Sequence, residues 1–256
     1  MRFIHASDLH IDSPLRGLDR YDGAPVERLR SATRSALERL VDKALAEQVD
    51  FLLLAGDIYD RDWQDFHTGL FFRGQMVRLE RAGIRCFIVQ GNHDAQGVIS
   101  RQLTLPSNVT VFSSRAAQTV KLDELSVAIH GRSFPEREVN EDLVPSYPPP
   151  VSGYFNIGLL HTSLTGRAGH DTYAPTDLPT LVAKGYDYWA LGHVHAREVL
   201  NERPRIVFCG NLQGRHAKET GVKGCELVTV EAGRIEAEFS ALDVVRWSQL
   251  SVPLDG

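Results

Sequence analysis

Five short apolar runs, each the length of a β-strand, break off into side chains of the kind that bind metals. Residues 3–6 lead into Ser7-Asp8-Leu9-His10, residues 51–55 into Gly56-Asp57, and residues 86–89 into Gln90-Gly91-Asn92-His93-Asp94. Residues 156–160 lead into His161, and residues 188–191 into Gly192-His193-Val194-His195. One carboxylate or imidazole at a strand end is most often a cap or a surface group, but five in succession are hard to obtain by chance. They constrain the fold, because ligands of open α/β sheets collect beyond the carboxyl ends of strands. On an extended backbone, residues two apart project to one face, so Asp8 with His10, and His193 with His195, are each expected to aim at one cavity. The glycines before Asp57, Asn92 and His193 let the chain turn sharply as it leaves the sheet. Carboxylate, imidazole and amide oxygen without thiolate suit Mn²⁺, Fe²⁺ or Zn²⁺ and disfavour soft-metal sites.

The rest of the chain predicts how these runs are held. Residues 25–48 are helical in period, with Leu37, Leu40, Val41, Ala44 and Leu45 on one stripe, and residues 64–82 form a second helix closed by Gly83. Further strands are expected at 85–89, 109–112, 119–122, 126–130, 154–160, 186–191, 205–209, 225–231 and 234–239, with a short helix over 177–184. Helix and strand alternate in the first half and strands dominate the second, which points to stacked sheets with helices outside rather than one doubly wound sheet. Residues 1–245 read as one domain, and 246–256 as the start of a C-terminal extension. Phe66, Leu70, Phe71, Phe72 and Val77 form a broad apolar stripe, read as core packing with a homodimer contact as the alternative.

With 43% hydrophobic residues the chain can bury a sizeable core, and its net charge of -5 excludes coating nucleic acid by charge alone. Any DNA contact must be local. Cys86, Cys209 and Cys225 are odd in number and lack C-x-x-C spacing, which argues against a disulfide framework or zinc knuckle and for a reducing cytoplasm. No signal peptide and no membrane-length apolar run is visible. His5, His67, His130 and His170 read as ordinary core, strand or surface residues, and Asp94 as a local brace for the Asn92-His93 turn. The 210–216 loop, which contains Arg215 and His216, reads either as a solvated turn or as a substrate-contacting loop.

D-x-H, then G-D-x-x-D, G-N-H-D, a lone His and G-H-x-H, in this order, resemble the calcineurin-like metallophosphoesterases. The resemblance implies a four-layer α/β/β/α sandwich with two mixed sheets and a dinuclear centre. It assigns Asp8, His10, Asp57 and His195 to one ion and Asp57, Asn92, His161 and His193 to the other, with Asp57 bridging. Two adjacent cations suit an anionic phosphodiester, which repels hydroxide unless its charge is neutralised. His93 then faces the phosphate, stabilising the transition state or protonating the leaving oxygen. Asp60 falls where phosphatases of this class place the carboxylate partner of that histidine, although some nucleases of the family carry a histidine there. Protein phosphatases of the class carry an arginine just before G-N-H, where this chain has Gln90.

The opening Ile4-His5-Ala6-Ser7-Asp8-Leu9-His10-Ile11-Asp12-Ser13-Pro14-Leu15, the run from Tyr186 to His195 and the 210–216 loop are similar to the SbcD-type DNA repair exonucleases, in their YhaO-like branch. That implies a nuclease acting on DNA ends, usually with Mn²⁺ (Fe²⁺, Zn²⁺ or Mg²⁺ being the alternatives). It further implies a partner, an SMC-like coiled-coil ATPase of the SbcC or YhaN type, which family members dock through a helical segment beyond the catalytic domain. Arg215 and His216 would help to hold the substrate phosphodiester. A phosphodiesterase or phosphatase acting on small nucleotides or phosphoproteins would share the same metals.

Overall fold

The computed structural model describes residues 1–13, 31–60, 65–95, 103–165 and 173–252. His170 and the first six residues of the expected 25–48 helix lie outside them. Two six-stranded mixed sheets are stacked face to face. The first runs β12 (Arg234–Ala241), β11 (Gly224–Glu231), β1 (Arg2–Ala6), β2 (Phe51–Ala55), β3 (Arg85–Val89) and β4 (Val109–Val111). The second runs β5 (Gln118–Leu122), β6 (Val127–Gly131), β7 (Phe155–His161), β8 (Tyr188–Gly192), β10 (Arg205–Phe208) and β9 (Glu198–Glu202). β1 to β4 form a parallel ladder in the first sheet, as do β6, β7, β8 and β10 in the second.

The side-chain alternation of each strand feeds two cores. In β2, Phe51, Leu53 and Ala55 enter the layer between the sheets, where they meet Ile157, Leu159 and Tyr188, and the Phe51 ring stacks on Phe3 at 5.0 Å. Leu52 and Leu54 point the other way, onto helices α1 (Ala32–Ala46) and α2 (Phe66–Arg81). A strand buried on both faces reads as an unbroken apolar run, which is how Phe51–Ala55 appears in the sequence. The outer face of the second sheet, with Leu160, Trp189, Leu191 and Phe208, is covered by α3 (Leu178–Ala183) and by the loop containing Phe134, Val139 and Tyr147. The result is the four-layer α/β/β/α arrangement, with a thin outermost layer on the second sheet.

The structure corrects two expectations. The apolar stripe of residues 66–77 is only partly the buried face: Phe72 enters the core and Phe71 packs against it, but α2 also buries Thr68, Gly69, Gln75, Met76 and Leu79, while Phe66 and Leu70 are 45% and 47% exposed. The other correction is β9, which the sequence does not announce. Its half-buried Glu-Val-Leu-Asn-Glu pattern carries little strand signal, and it exists as the antiparallel edge partner of β10.

Among the described residues, no helix is long and apolar enough to cross a membrane. Cys86, Cys209 and Cys225 are all free and buried.

Candidate metal centre

The parallel strands β1, β2 and β3 of one sheet and β7 and β8 of the other all end at one edge of the sandwich. The chain leaves β1 and β2 through a backbone zipper: Asp8 N donates to Gly56 O, His10 N to Asp57 O and Ile11 N to Ile58 O, each at 3.0 Å. Asp8, His10 and Asp57 sit at φ of 51°, 41° and 53°, and His193 at 99°. The convergence of Asp8 and His10 therefore comes from left-handed turns, not from the extended backbone that their spacing implied. Such φ values cost a non-glycine residue roughly 1–3 kcal/mol each and persist where the surroundings enforce them. Gly91 permits the close approach of the β3 end: a Cβ there would lie 2.3 Å from Asp57 Oδ1 and 2.8 Å from His161 Nε2.

All seven sequence-predicted ligand residues are brought together. Asp8, His10 and His195 form one cluster, and Asp57, His161 and His193 another. Asp57 Oδ2 stands between the two, 3.7 Å from His10 Nε2 and 3.5 Å from His161 Nε2. Asn92 Oδ1 is 3.0 Å from His161 Nε2, and His193 Nδ1 lies 3.3 Å from the same atom. In the first cluster His195 Nε2 lies 3.3 Å from His10 Nε2 and 3.6 Å from Asp8 Oδ1.

These contacts show what the donor set is built for. His161 Nδ1 donates to the backbone carbonyl of Ala55 at 2.8 Å. In the neutral ring, Nε2 then directs a lone pair at an amide oxygen and a carboxylate oxygen. Acceptors packed against acceptors out of water are costly unless a cation lies among them. His10 adds its Nε2 to the same group, 3.3 Å from His195 Nε2 and 3.7 Å from Asp57 Oδ2. Burial opposes charge on His195, but hydrogen bonds to Asp8 and Glu219 outweigh it and raise its pKa to about 9, a measure of how strongly the carboxylates draw positive charge. The residues therefore fit divalent cations with oxygen and imidazole ligands.

His93 and Asp60 form a pair beside the clusters. His93 Nδ1 is 2.7 Å from Asp60 Oδ1, and its ring meets the edge of His10 at 4.7 Å between centroids. Burial works against the imidazolium, but the hydrogen bond to Asp60 and the charges of Asp57 and Asp60 prevail and raise the His93 pKa. Asp60 also accepts from Ser13 Oγ at 2.5 Å and lies 3.7 Å from Arg215 Nη1. Asp94 braces the neighbouring loops from below, accepting from Ile58 N, Tyr59 N and Gly91 N. Asp12 clamps both helices, taking a forked pair of bonds from Arg34 and one from Thr68 Oγ1.

The 210–216 loop turns toward the clusters, and Arg215 and His216 line a cleft of about 630 Å³ that opens over Asp57, Asn92 and His93. Arg215 Nη2 is 3.4 Å from His195 Nδ1, while the His216 side chain is 51% exposed at the rim. Sequence reasoning misses Glu219. Its Oε1 is 2.7 Å from His195 Nδ1, and nothing in the spacing of a loop glutamate signals that role.

The calcineurin-like phosphoesterase family model matches residues 1–197. The chain is 39% identical to the uncharacterized metallophosphoesterase YhaO of Bacillus subtilis, over 98% of this chain and 63% of that protein. It is 24% identical to a subunit of the SbcCD nuclease of Escherichia coli, over 93% of this chain and 67% of that protein. The chain thus spans about three-fifths to two-thirds of the length of these two relatives. Among solved structures, a dimetal phosphatase from Danio rerio shares the fold with a TM-score of 0.57 and 11% identity, over 94% of this chain and 96% of that one. With two mixed sheets, a family match across every predicted ligand position and His/Asp clusters at the shared strand edge, the chain belongs to the calcineurin-like phosphoesterases.

Proposed function

We propose that this chain is a metal-dependent nuclease that hydrolyses phosphodiester bonds of DNA, acting in the cytoplasm on DNA ends during double-strand-break repair. One observation carries the reading: seven side chains from five strand ends of two sheets converge in two adjoining clusters, with Asp57 Oδ2 between His10 and His161 and with His93, Asp60 and Arg215 beside them. Asp8, His10, Asp57 and His195 would hold one divalent cation and Asp57, Asn92, His161 and His193 the other, with Mn²⁺ the favoured ion. Bound there, such ions supply Lewis acidity toward a phosphate oxygen and a nucleophile at neutral pH.

The side chains around the clusters do the rest. Asp60 orients His93 through Nδ1 and favours its protonated form, so that the ring can donate toward the phosphoryl group or the leaving oxygen. Arg215 brings a planar guanidinium to the cleft, suited to two phosphate oxygens at once. His216 at the rim adds a second donor. Likeness to the SbcCD nuclease over most of the chain supports DNA as substrate, and Gln90 in place of an arginine speaks against a protein phosphatase. An SMC-like coiled-coil ATPase as partner belongs to the same reading.

The test is purified protein with Mn²⁺, given linear duplex DNA, single-stranded DNA, a chromogenic phosphodiester and cyclic nucleotides in parallel. DNA cleavage well above turnover of cyclic nucleotides is expected. Activity confined to cyclic nucleotides or phosphomonoesters would replace the nuclease reading with a phosphodiesterase or phosphatase on the same centre.

A further inference from the structure

Glu219 makes contacts on both sides of the cleft wall. Its side chain is only 9% exposed. On one side, Oε1 receives His195 Nδ1 at 2.7 Å, with Arg215 Nη2 and His216 Nε2 each at 3.5 Å. On the other, Oε2 accepts the backbone N–H of Arg215 at 2.6 Å and Asn211 Nδ2 at 3.0 Å. Trp247 braces the same loop from behind, its Nε1 donating to Gly214 O at 3.1 Å. One carboxylate thus touches a ligand-type histidine with one oxygen and shapes the loop carrying Arg215 and His216 with the other.

We propose that Glu219 is a shared positioning residue, which fixes the ring of His195 for a divalent cation and the 210–216 loop for the substrate phosphate, so that affinity for the two is linked through one side chain. This rests on the dinuclear reading above. A carboxylate on Nδ1 holds the proton there and leaves the Nε2 lone pair for the cation, and such outer partners typically set metal affinity by 10–100-fold. Ionised glutamate has two acceptor oxygens and both are used here by donors. Glutamine keeps the size but replaces one acceptor by a donor. With its oxygen on the loop, its NH₂ faces His195 Nδ1 and drives the ring proton to Nε2, toward the cation position. With its oxygen on His195, its NH₂ opposes Arg215 N–H and the loop loses its anchor.

The experiment is calorimetric titration of Mn²⁺ into metal-free wild type, Glu219→Gln and Arg215→Ala, followed by inorganic phosphate into each Mn²⁺-loaded protein. Glu219→Gln should weaken one of two Mn²⁺ sites by 10–100-fold, leave the other within about twofold, and weaken phosphate as well. Arg215→Ala should weaken phosphate alone. Two Mn²⁺ sites unchanged in Glu219→Gln overturn the proposal while leaving the dinuclear reading intact, whereas a wild type that binds no pair of ions overturns that reading itself. A measurement on wild type covers the case of a variant that fails to fold. In Zn²⁺-loaded protein, ¹⁵N-edited NMR of the imidazoles should find the His195 proton on Nδ1, and a proton on Nε2 refutes the positioning role.

Discussion

His93 adjoins the ligand-type Asn92 in sequence and packs on His10 in space, yet its ring nitrogen Nδ1 is taken up by Asp60. We expect His93→Ala to lower phosphodiester cleavage by about 10²–10⁴-fold, the range for a general acid, with metal content unchanged by elemental analysis. Loss of both ions in that variant would make His93 a ligand. His5 is a different kind of histidine. It is fully buried, Nε2–H donates to Leu191 O at 3.2 Å and Nδ1 accepts from Tyr188 OH at 3.1 Å, so the ring is held neutral. Burial lowers its pKa from 6.5 to about 4. The unfolded chain therefore takes up a proton that the folded protein resists. Stability from this group is complete above pH 6.5 and falls between 6.5 and 4, by about 3 kcal/mol in all. Urea midpoints measured from pH 7 to 4.5 should fall less steeply for His5→Gln than for wild type, and equal slopes would remove His5 from the acid response.

What can be read from sequence at this scale is local. Asp8, His10, Asp57, Asn92 and the three downstream histidines each follow an apolar run within a few residues, so the strand announces the ligand. Glu219 follows no such run and lies 24 residues from His195, so only the folded loop reveals the pairing.

Among the elements, strands are more legible than faces. Phe51–Ala55 has no polar position to confuse its reading, and its pairing with Arg2–Ala6 and Arg85–Val89 follows from uninterrupted burial. α2 misleads because its largest apolar side chains are not all its inward ones. The helix lies against α1 and the first sheet through Met76 and Leu79, and it gives the inward turn to Thr68 so that its hydroxyl can reach Asp12. A polar anchor at the start of the helix thus sets a rotation that hydrophobicity alone does not indicate. Met76→Ala should cost about 2–5 kcal/mol through the cavity it leaves. Leu70→Ser should stay within about 0.5 kcal/mol, as exposed substitutions do. Equal destabilisation of the two in denaturant melts would contradict the observed face, and a wild-type dimer that Leu70→Ser dissociates would give the exposed face a partner. The turns after β1 and β2 are illegible for another reason: left-handed φ at Asp8, His10 and Asp57 is enforced by bonds between two loops distant in sequence.

In the molecule as a whole, the two sheets are joined by more than their apolar layer. Glu226 of β11 is fully buried and ion-paired to Arg197 and Arg205 on the side of the second sheet. Elsewhere on the same interface, His161 of β7 reaches across to the carbonyl of Ala55 at the end of β2. That last bond has a mechanical consequence. A cation gripped by His161 and Asp57 would be gripped by both halves of the sandwich, and so would act as a rivet at the edge they share. Ligand binding to the native state alone adds about 2.7 kcal/mol at a free concentration about a hundred times Kd. Chelation with EDTA should therefore lower the Tm by several degrees, and amide hydrogen exchange should quicken first at residues 54–57 and 159–162, while residues 127–129, paired with the far end of β7, keep their protection. An unchanged Tm, or uniform loosening of both sheets, would show that the edge is held shut without it.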